Sequence, residues 1–139
     1  MPSDLATAAI ANVALSAAQP ETDDPFADLV AERTAIQLGV TRPNGVSLIG
    51  SMMQDATDPE LRALFREHLV LPRRKRLRRI LQRGIDKGLL DADSHADYAV
   101  AACTGTLYAL LLTGQRIPRT WANRTAKLVW RAMGGRFGG

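Results

Sequence analysis

Residues 95–114 constrain the fold more than any other part of the sequence, because this predicted helix is apolar on two opposite sides. With about 100° between successive residues, small side chains gather on one side and larger ones on the other. The small side holds Tyr98, Ala101, Ala102, Gly105, Ala109 and Leu112, and the larger side holds Val100, Cys103, Leu107, Leu110 and Leu111. A helix that is apolar on both sides must be buried on both sides.

Two arrangements would bury both sides of this helix: enclosure within its own domain, or contact of the small side with another subunit. The last predicted helix, at 118–134, favours contact with another subunit, since its apolar residues cover more of its surface than one core-facing stripe would need. Two such helices and their copies could form a four-helix interface. The predicted homodimer interface consists of Tyr98, Ala101, Ala102, Gly105, Ala109, Leu112, Trp121 and Leu128. Enclosure within one domain stays open as the alternative.

The other segments also favour helices, and none shows the alternation typical of a strand. Helices are predicted at 4–18, 24–38, 46–56, 58–88 and 94–113, with Pro25 and Pro59 in first turns and Gly39, Gly88 and Gly114 at ends. Pro72 should kink or break the long helix at 58–88. The prediction is an all-α bundle of about six to seven helices, with residues 1–134 as one domain and 135–139 as a flexible Gly-rich tail.

The composition supports helices and gives no sign of a metal or cofactor. Hydrophobic residues make up 46% of the 139 residues but aromatic residues only 5%. The single cysteine, Cys103, excludes an internal disulfide, and with His68 and His95 it makes no zinc set. No signal peptide is visible, and the apolar stretch at 98–112 is shorter than a membrane helix requires. We therefore expect a cytoplasmic protein that needs no cofactor and no membrane.

The charge is divided between the two halves of the chain. Residues 1–70 hold four Lys and Arg against ten Asp and Glu, whereas residues 71–139 hold fourteen against four. The basic run at 73–79 could bind phosphates. No aromatic residue interleaves it, and the apolar line continues through Leu77, Ile80 and Leu81. We therefore interpret the run as the solvated faces of a helix.

Residues 35–53 imitate a helix-turn-helix, with Gly39 as the turn and Thr41-Arg42 before a second helix. Asn44-Gly45 would break the recognition helix near its start. A turn between two core helices is the preferred interpretation, and a DNA-binding module remains an alternative. No catalytic motif occurs either, so we expect no enzyme.

The order of several short motifs resembles the C-terminal domain of TetR-family transcriptional regulators. The residues that carry the resemblance are Asp58-Pro59-Glu60-Leu61, Pro72-Arg73-Arg74, Lys87-Gly88-Leu89-Leu90, Gly105, Leu107-Tyr108, Leu112-Thr113-Gly114 and Pro118. The resemblance covers residues 58–118. It implies an all-helical domain of a repressor that dimerises through its last two long helices and binds a small hydrophobic effector. DNA would be bound by a separate N-terminal unit, which this chain is expected to lack.

An effector cavity would need apolar walls and a few polar groups. The candidate wall residues are Met52, Met53, Phe65, Leu69, Cys103, Leu107, Tyr108 and Leu111, and the candidate polar groups are Tyr108, Thr104 and His68. Each of the wall residues could instead belong to the core. A helical interaction protein without any ligand therefore remains a further alternative.

Overall fold

The computed structural model describes residues 19–41, 59–92 and 95–136. They form the helices α1 (Pro25–Thr41), α2 (Pro59–Phe65), α3 (Leu71–Asp86), α4 (Ala96–Leu112) and α5 (Trp121–Ala132), with a π-helical turn (Arg66–Val70) between α2 and α3. These three ranges contain no strand, which confirms the all-α prediction. The helices predicted at 4–18 and 46–56 lie outside the described residues. None of the described helices could span a membrane.

Helix α1 begins as predicted but ends later. The carboxylate of Asp24 accepts a hydrogen bond from the backbone N–H of Ala27 at 3.1 Å, which caps the helix just before Pro25. The predicted end at Gly39 was wrong, because the helix continues to Thr41. Ile36 and Val40 are buried on the two sides of Gly39 in the sequence, and their packing holds the helix through the glycine. Gly39 is therefore not the turn of a helix-turn-helix, and the rest of that segment lies outside the described residues.

The predicted interruption at Pro72 is confirmed. Proline has no N–H to donate to the carbonyl four residues earlier, so a regular α-helical ladder cannot pass through it. The chain adopts the π-helical turn Arg66–Val70 directly before this point, and Pro72 occupies the first turn of α3. The helix predicted at 58–88 is thus divided into α2, the π turn and α3.

Helices α3, α4 and α5 end at the glycines that mark their predicted ends. Gly88, Gly114 and Gly134 have φ angles of +74°, +72° and +86°, which side chains rarely adopt. After α3, the backbone N–H of Leu89 donates to the Gly84 carbonyl at 2.9 Å, and the N–H of Gly88 donates to Ile85 at 2.9 Å. The same pairing follows α4 and α5, and it satisfies carbonyls that the helix leaves without partners.

Two predicted helix starts need correction. The last helix begins at Trp121 and not at Pro118, because Pro118 belongs to a preceding turn in which its carbonyl accepts the N–H of Trp121 at 3.0 Å. The residue that precedes α4 as its cap is His95, and it makes no capping hydrogen bond through its side chain. Asp93 and Ser94 lie outside the described residues.

The helices form a closed arrangement of four. Helix α1 packs against α3 and α5, and α4 packs against the same two helices, so α1 and α4 lie diagonally opposite. The buried apolar residues form two clusters. The first contains Leu29, Leu77, Ile80, Leu81, Leu90, Val100, Cys103, Ala126, Val129, Trp130 and Met133, and the second contains Ile36, Val40, Leu107, Trp121 and Ala122. The rings of Phe26 and Trp130 add an edge-to-face contact at 5.4 Å.

Acids that precede or belong to α1 pair with basic residues of α3, which explains the division of charge along the sequence. Glu21 lies 2.7 Å from Arg79, Asp28 lies 2.7 Å from Arg83, and Glu32 lies 3.2 Å from Arg76. A further pair joins α3 to α4, between Arg78 and Asp97. The interpretation of the basic run as solvated faces was wrong for Arg73 and Arg76, whose Nε atoms are buried, whereas the other basic residues of the run are exposed.

Asp28 is the best-connected of these acids. Its carboxylate is buried and accepts hydrogen bonds from Arg83 at 2.7 Å and from the backbone N–H of Thr22 at 3.0 Å. Burial alone would raise the pKa of Asp28, but the hydrogen bonds from Arg83 and Thr22 outweigh burial and lower the pKa below its ordinary value. A carboxyl group of this kind stabilises the fold above its unfolded pKa of about 3.9, and this stability is lost as the pH falls through the folded value.

Replacing Asp28 by Asn should lower the free energy of unfolding at pH 7 by about 1–3 kcal/mol, because Arg83 loses its charged partner and one of the two oxygens that accept from Arg83 and Thr22 becomes a donor. The difference from the wild type should narrow below about pH 4, where the wild-type carboxyl is itself protonated. Urea denaturation at several pH values measures both effects. Glu21→Gln, which removes an exposed partner of Arg79, should change stability little. Equal losses from both substitutions would contradict this assignment.

Gly84 lies where α3 approaches its neighbours most closely. A Cβ atom at this position would lie 2.8 Å from Leu90 Cδ1 and 3.1 Å from a ring carbon of Trp130. Gly84→Ala should therefore reduce the free energy of unfolding by about 1–2 kcal/mol, although alanine favours helices. Gly39→Ala is the control, since no described atom lies within 4 Å of its Cβ position, and it should stabilise by up to about 1 kcal/mol. A stabilising Gly84→Ala would show that this contact is not tight.

Candidate functional site

A fully buried arginine stands at the centre of the helical arrangement. Arg33 of α1 is 0% exposed, and its Nη1 donates to the Cys103 carbonyl at 3.0 Å and to Thr104 Oγ1 at 2.9 Å. These bonds connect α1 to α4, which lies diagonally across the bundle. Nε and Nη2 of Arg33 are also buried, and they have no hydrogen-bond partner within the described ranges. The guanidinium therefore keeps unused donors in the interior.

Arg33 separates the two apolar clusters along the bundle. On α1 it lies between Leu29 of the first cluster and Ile36 of the second, at helical spacing on the same buried side. A second polar group lies between α4 and α5, where Trp121 Nε1 donates to Thr106 Oγ1 at 2.9 Å. The interior thus contains polar groups between two apolar regions.

Two arginines of α3 add positive charge near Arg33. The Nε atoms of Arg73 and Arg76 are buried without a directed hydrogen bond within the described ranges. Arg76 lies within ion-pair distance of Glu32, but Arg73 has no such partner among the described residues. Burial, reinforced by the charge of Arg33, lowers the pKa of Arg73 to about 10. Burial likewise lowers the pKa of Arg33. Among the described residues, Glu32 is thus the one carboxylate in ion-pair contact with any of these three arginines.

A pocket of about 240 Å³ opens between α3 and α4 beside these arginines. Its walls combine apolar side chains with the polar groups of Thr104 and Tyr108, and Arg73 and Arg74 contribute positive charge. The lining residues are Ile36, Leu69, Val70, Arg73, Arg74, Leu77, Val100, Ala101, Thr104, Gly105 and Tyr108. Apolar walls with a few polar groups are typical of sites for small ligands.

Of the residues predicted to bind a ligand, Leu69, Thr104 and Tyr108 line this pocket. Three others lie elsewhere: Cys103 and Leu107 are fully buried in the apolar clusters, and Leu111 packs against the second cluster. His68 is exposed on the π turn. Met52, Met53 and the side chain of Phe65 lie outside the described residues.

Most residues of the predicted dimer interface form an exposed apolar face. Tyr98, Leu112 and Leu128 are 80%, 72% and 62% exposed. Ala101, Gly105 and Ala109 are exposed along the same side of α4, and Ala102 is half-buried. Trp121 differs, because it is buried in the second cluster and presents almost no surface to a partner. We leave Trp121 out of this face for that reason.

The exposed face includes a groove between α4 and α5. The groove has a volume of about 540 Å³, and its walls include Tyr98, Ala102 and Leu128. The face also adjoins the pocket, because Ala101 and Gly105 of α4 line the pocket while remaining partly open to solvent. One helix therefore borders both features.

The arginines were missed by the sequence interpretation, although their spacing contains a signal. Arg33 follows Leu29 by four residues and precedes Ile36 by three, which places it in line with core positions. Arg73 precedes the buried Leu77 by four residues in the same way. A basic residue in register with buried apolar positions indicates a buried charge. The sequence interpretation missed this signal because it assigned the whole run at 73–79 to solvated faces.

Among the described residues, neither a metal cluster nor a second charged hollow competes with the pocket between α3 and α4. No group of three His, Cys, Asp or Glu side chains in these ranges could hold a metal ion. A second hollow, of about 290 Å³, is lined by Glu21, Asp28, Arg79 and Arg83 among others. These charges already pair with each other, so they give no reason to expect a ligand.

Cys103 should be unreactive in the folded protein. Its thiol is buried, and burial raises its pKa, so the reactive thiolate is suppressed. Labelling with a thiol reagent at pH 8 should be at least about 100-fold slower in buffer than in 6 M urea, because the thiol becomes accessible only on opening. Because Cys103 is the single cysteine, the measurement needs no other substitution. Rapid labelling of the native protein would contradict its burial.

Comparison with known families gives one match. A family model described as tetracyclin repressor-like, C-terminal domain matches residues 19–129, and this range contains every pocket residue and most of the exposed face. Comparisons with curated proteins and with solved structures give no match.

Proposed function

We propose that this chain, which belongs to the tetracyclin repressor-like, C-terminal domain family, is the effector-binding and dimerising part of a transcriptional repressor. The observation that carries the proposal is the position of α4, which borders a pocket and also presents an exposed apolar face. The proposed role is one of binding and not of catalysis, and a protein with this role would act in the cytoplasm, where the DNA is.

The exposed face supports dimerisation through a second copy of the chain. Tyr98, Leu112 and Leu128 expose large apolar surfaces on α4 and α5, and such contiguous surface is typical of interaction sites. The small residues between them, such as Gly105, would allow a partner helix to approach closely. A Cβ atom at Gly105 would have nothing within 4 Å, so the space beside it is open in the single chain. Two copies of α4 and α5 would form a four-helix interface.

The pocket supports effector binding and a route from effector to dimer. A molecule between α3 and α4 would contact Ala101 and Gly105, which also belong to the exposed face. A ligand that shifts α4 would therefore change the surface that meets the partner subunit. Allosteric coupling requires such a difference in contacts between the two states.

The alternative of a DNA-binding module at 35–53 has less support. Residues 35–41 belong to the uninterrupted helix α1, and Ile36 and Val40 in this part are buried in the core. DNA binding is instead proposed for a separate N-terminal unit. A helical interaction protein without a ligand would leave the pocket and its arginines without a role.

Light scattering coupled to size-exclusion chromatography tests the dimer. At micromolar concentration the protein should have twice the 15.1 kDa mass of the chain. Leu128→Lys should produce a monomer, because a charge would enter the apolar interface. Leu89→Lys is the matched control, since it makes the same change at an exposed leucine in the turn after α3 and should leave the dimer intact.

Gly105→Leu provides a second test of the same face. The substitution has space in the single chain, so circular dichroism and the melting temperature should show a folded protein, whereas the dimer should be lost. A wild-type monomer would contradict the proposed dimer. A Gly105→Leu dimer as stable as the wild type would show that α4 is not its interface.

A further inference from the structure

We propose that the pocket between α3 and α4 binds a small amphipathic organic anion, whose charged head lies beside Arg73 and whose apolar body lies along α3 and α4. This inference rests on the proposed effector function and names the chemical class of the effector. It adds a charged head to the small hydrophobic effector that the sequence resemblance implies.

The balance of buried charge carries the inference. Among the described residues, Glu32 is the one carboxylate in ion-pair contact with any of Arg33, Arg73 and Arg76, and its contact is with Arg76. Arg33 and Arg73 are therefore left without an ion-pair partner within the described part of the chain. Arg33 is fully buried, and Arg73 is half-buried with its Nε atom inside. An uncompensated charge taken out of water destabilises a protein. An anionic ligand in the pocket would reduce this penalty at Arg73, which lines the pocket.

Arg73 is an exception, because other partly buried arginines of this chain are paired with acids. Arg83 donates to Asp28 at 2.7 Å, and Arg76 lies beside Glu32. Arg73 lies in the wall of the pocket with its Nε atom buried and without a partner among the described residues. Perturbed charged groups of this kind in a cleft are candidates for functional sites.

The polar and apolar parts of the pocket suggest how the anion would lie. Thr104 and Tyr108 line the wall near the arginines, and both side chains can donate a hydrogen bond to an anionic head. Thr104 Oγ1 already accepts a hydrogen bond from Arg33, which leaves its hydroxyl proton available. Leu69, Leu77 and Val100 supply apolar walls for the rest of the molecule. The volume of about 240 Å³ suits a ligand smaller than a typical drug.

Isothermal titration calorimetry with matched probes tests the inference. Octanoate carries both an apolar chain and a carboxylate, octanol keeps the chain without the charge, and inorganic phosphate supplies an anion without the chain. Octanoate should bind saturably, with at least about tenfold higher affinity than octanol or phosphate, because only octanoate satisfies both parts of the pocket. Equal affinity for octanoate and octanol would overturn the inference, and so would equal affinity for octanoate and phosphate.

Arg73→Met tests the position of the charged head. Methionine keeps much of the side-chain volume but removes the charge, so octanoate affinity should fall at least about tenfold while octanol affinity stays unchanged. The melting temperature without ligand should be unchanged or higher, because an unpaired buried charge has been removed. Arg78→Met, on the exposed side of α3 where Arg78 pairs with Asp97, is the control and should bind octanoate as the wild type does.

Tyr108→Phe keeps the inference falsifiable if Arg73→Met does not fold, because Tyr108 lines the pocket but does not hold Arg33. It should also weaken octanoate more than octanol, since it removes a donor from the head-group end of the pocket. Octanoate binding that survives both substitutions would overturn the inference. If the protein binds octanol and octanoate equally and still dimerises, the proposed effector function stands, but the inference that the effector is an anion is overturned. If the protein is a monomer and binds none of the probes, the result contradicts the proposed function itself.

Discussion

The burial of the Arg33 guanidinium is the constraint on which the rest of the structure depends. A charge inside an all-helical bundle must be held by hydrogen bonds, and α4 supplies them from the Cys103 carbonyl and Thr104 Oγ1. These bonds fix α1 relative to its diagonal neighbour and divide the apolar interior into two clusters. Each cluster buries apolar side chains on its own side of the arginine, and burial of apolar surface favours folding. Burying a guanidinium without an ion-pair partner is unfavourable, and this is the physical reason to expect an anionic ligand nearby.

Helix α4 shows how one element can serve two purposes. Its larger residues, such as Leu107, belong to the core, while Ala101 and Gly105 border the pocket and remain partly exposed. Small residues there leave room on both sides of the backbone, so neither the ligand nor a partner helix has to displace a side chain. Because Ala101 and Gly105 belong to both the pocket wall and the exposed face, a small movement of α4 would change the shape of both.

Much of the fold could be predicted from the sequence, because glycine and proline act locally. Gly88, Gly114 and Gly134 mark helix ends through their positive φ angles, and Pro72 interrupts a helix by lacking an N–H. Gly39 was misinterpreted because the burial of Ile36 and Val40 outweighs its low helix propensity. The site was harder to predict. Leu69, Thr104 and Tyr108 were identified, but Arg33 and Arg73 were not, since only tertiary packing brings charges from α1 and α3 together.

The central claim is that the pocket holds an anion beside Arg73, and NMR of the arginine Nε–H groups tests it most directly. The buried Nε–H groups of Arg33 and Arg73 should give resolved signals that exchange slowly with water. Addition of octanoate should shift the Arg73 signal strongly and the Arg33 signal to a smaller extent, while the exposed Arg78 signal stays in place. Unchanged Arg73 and Arg33 signals at saturating octanoate would contradict the claim.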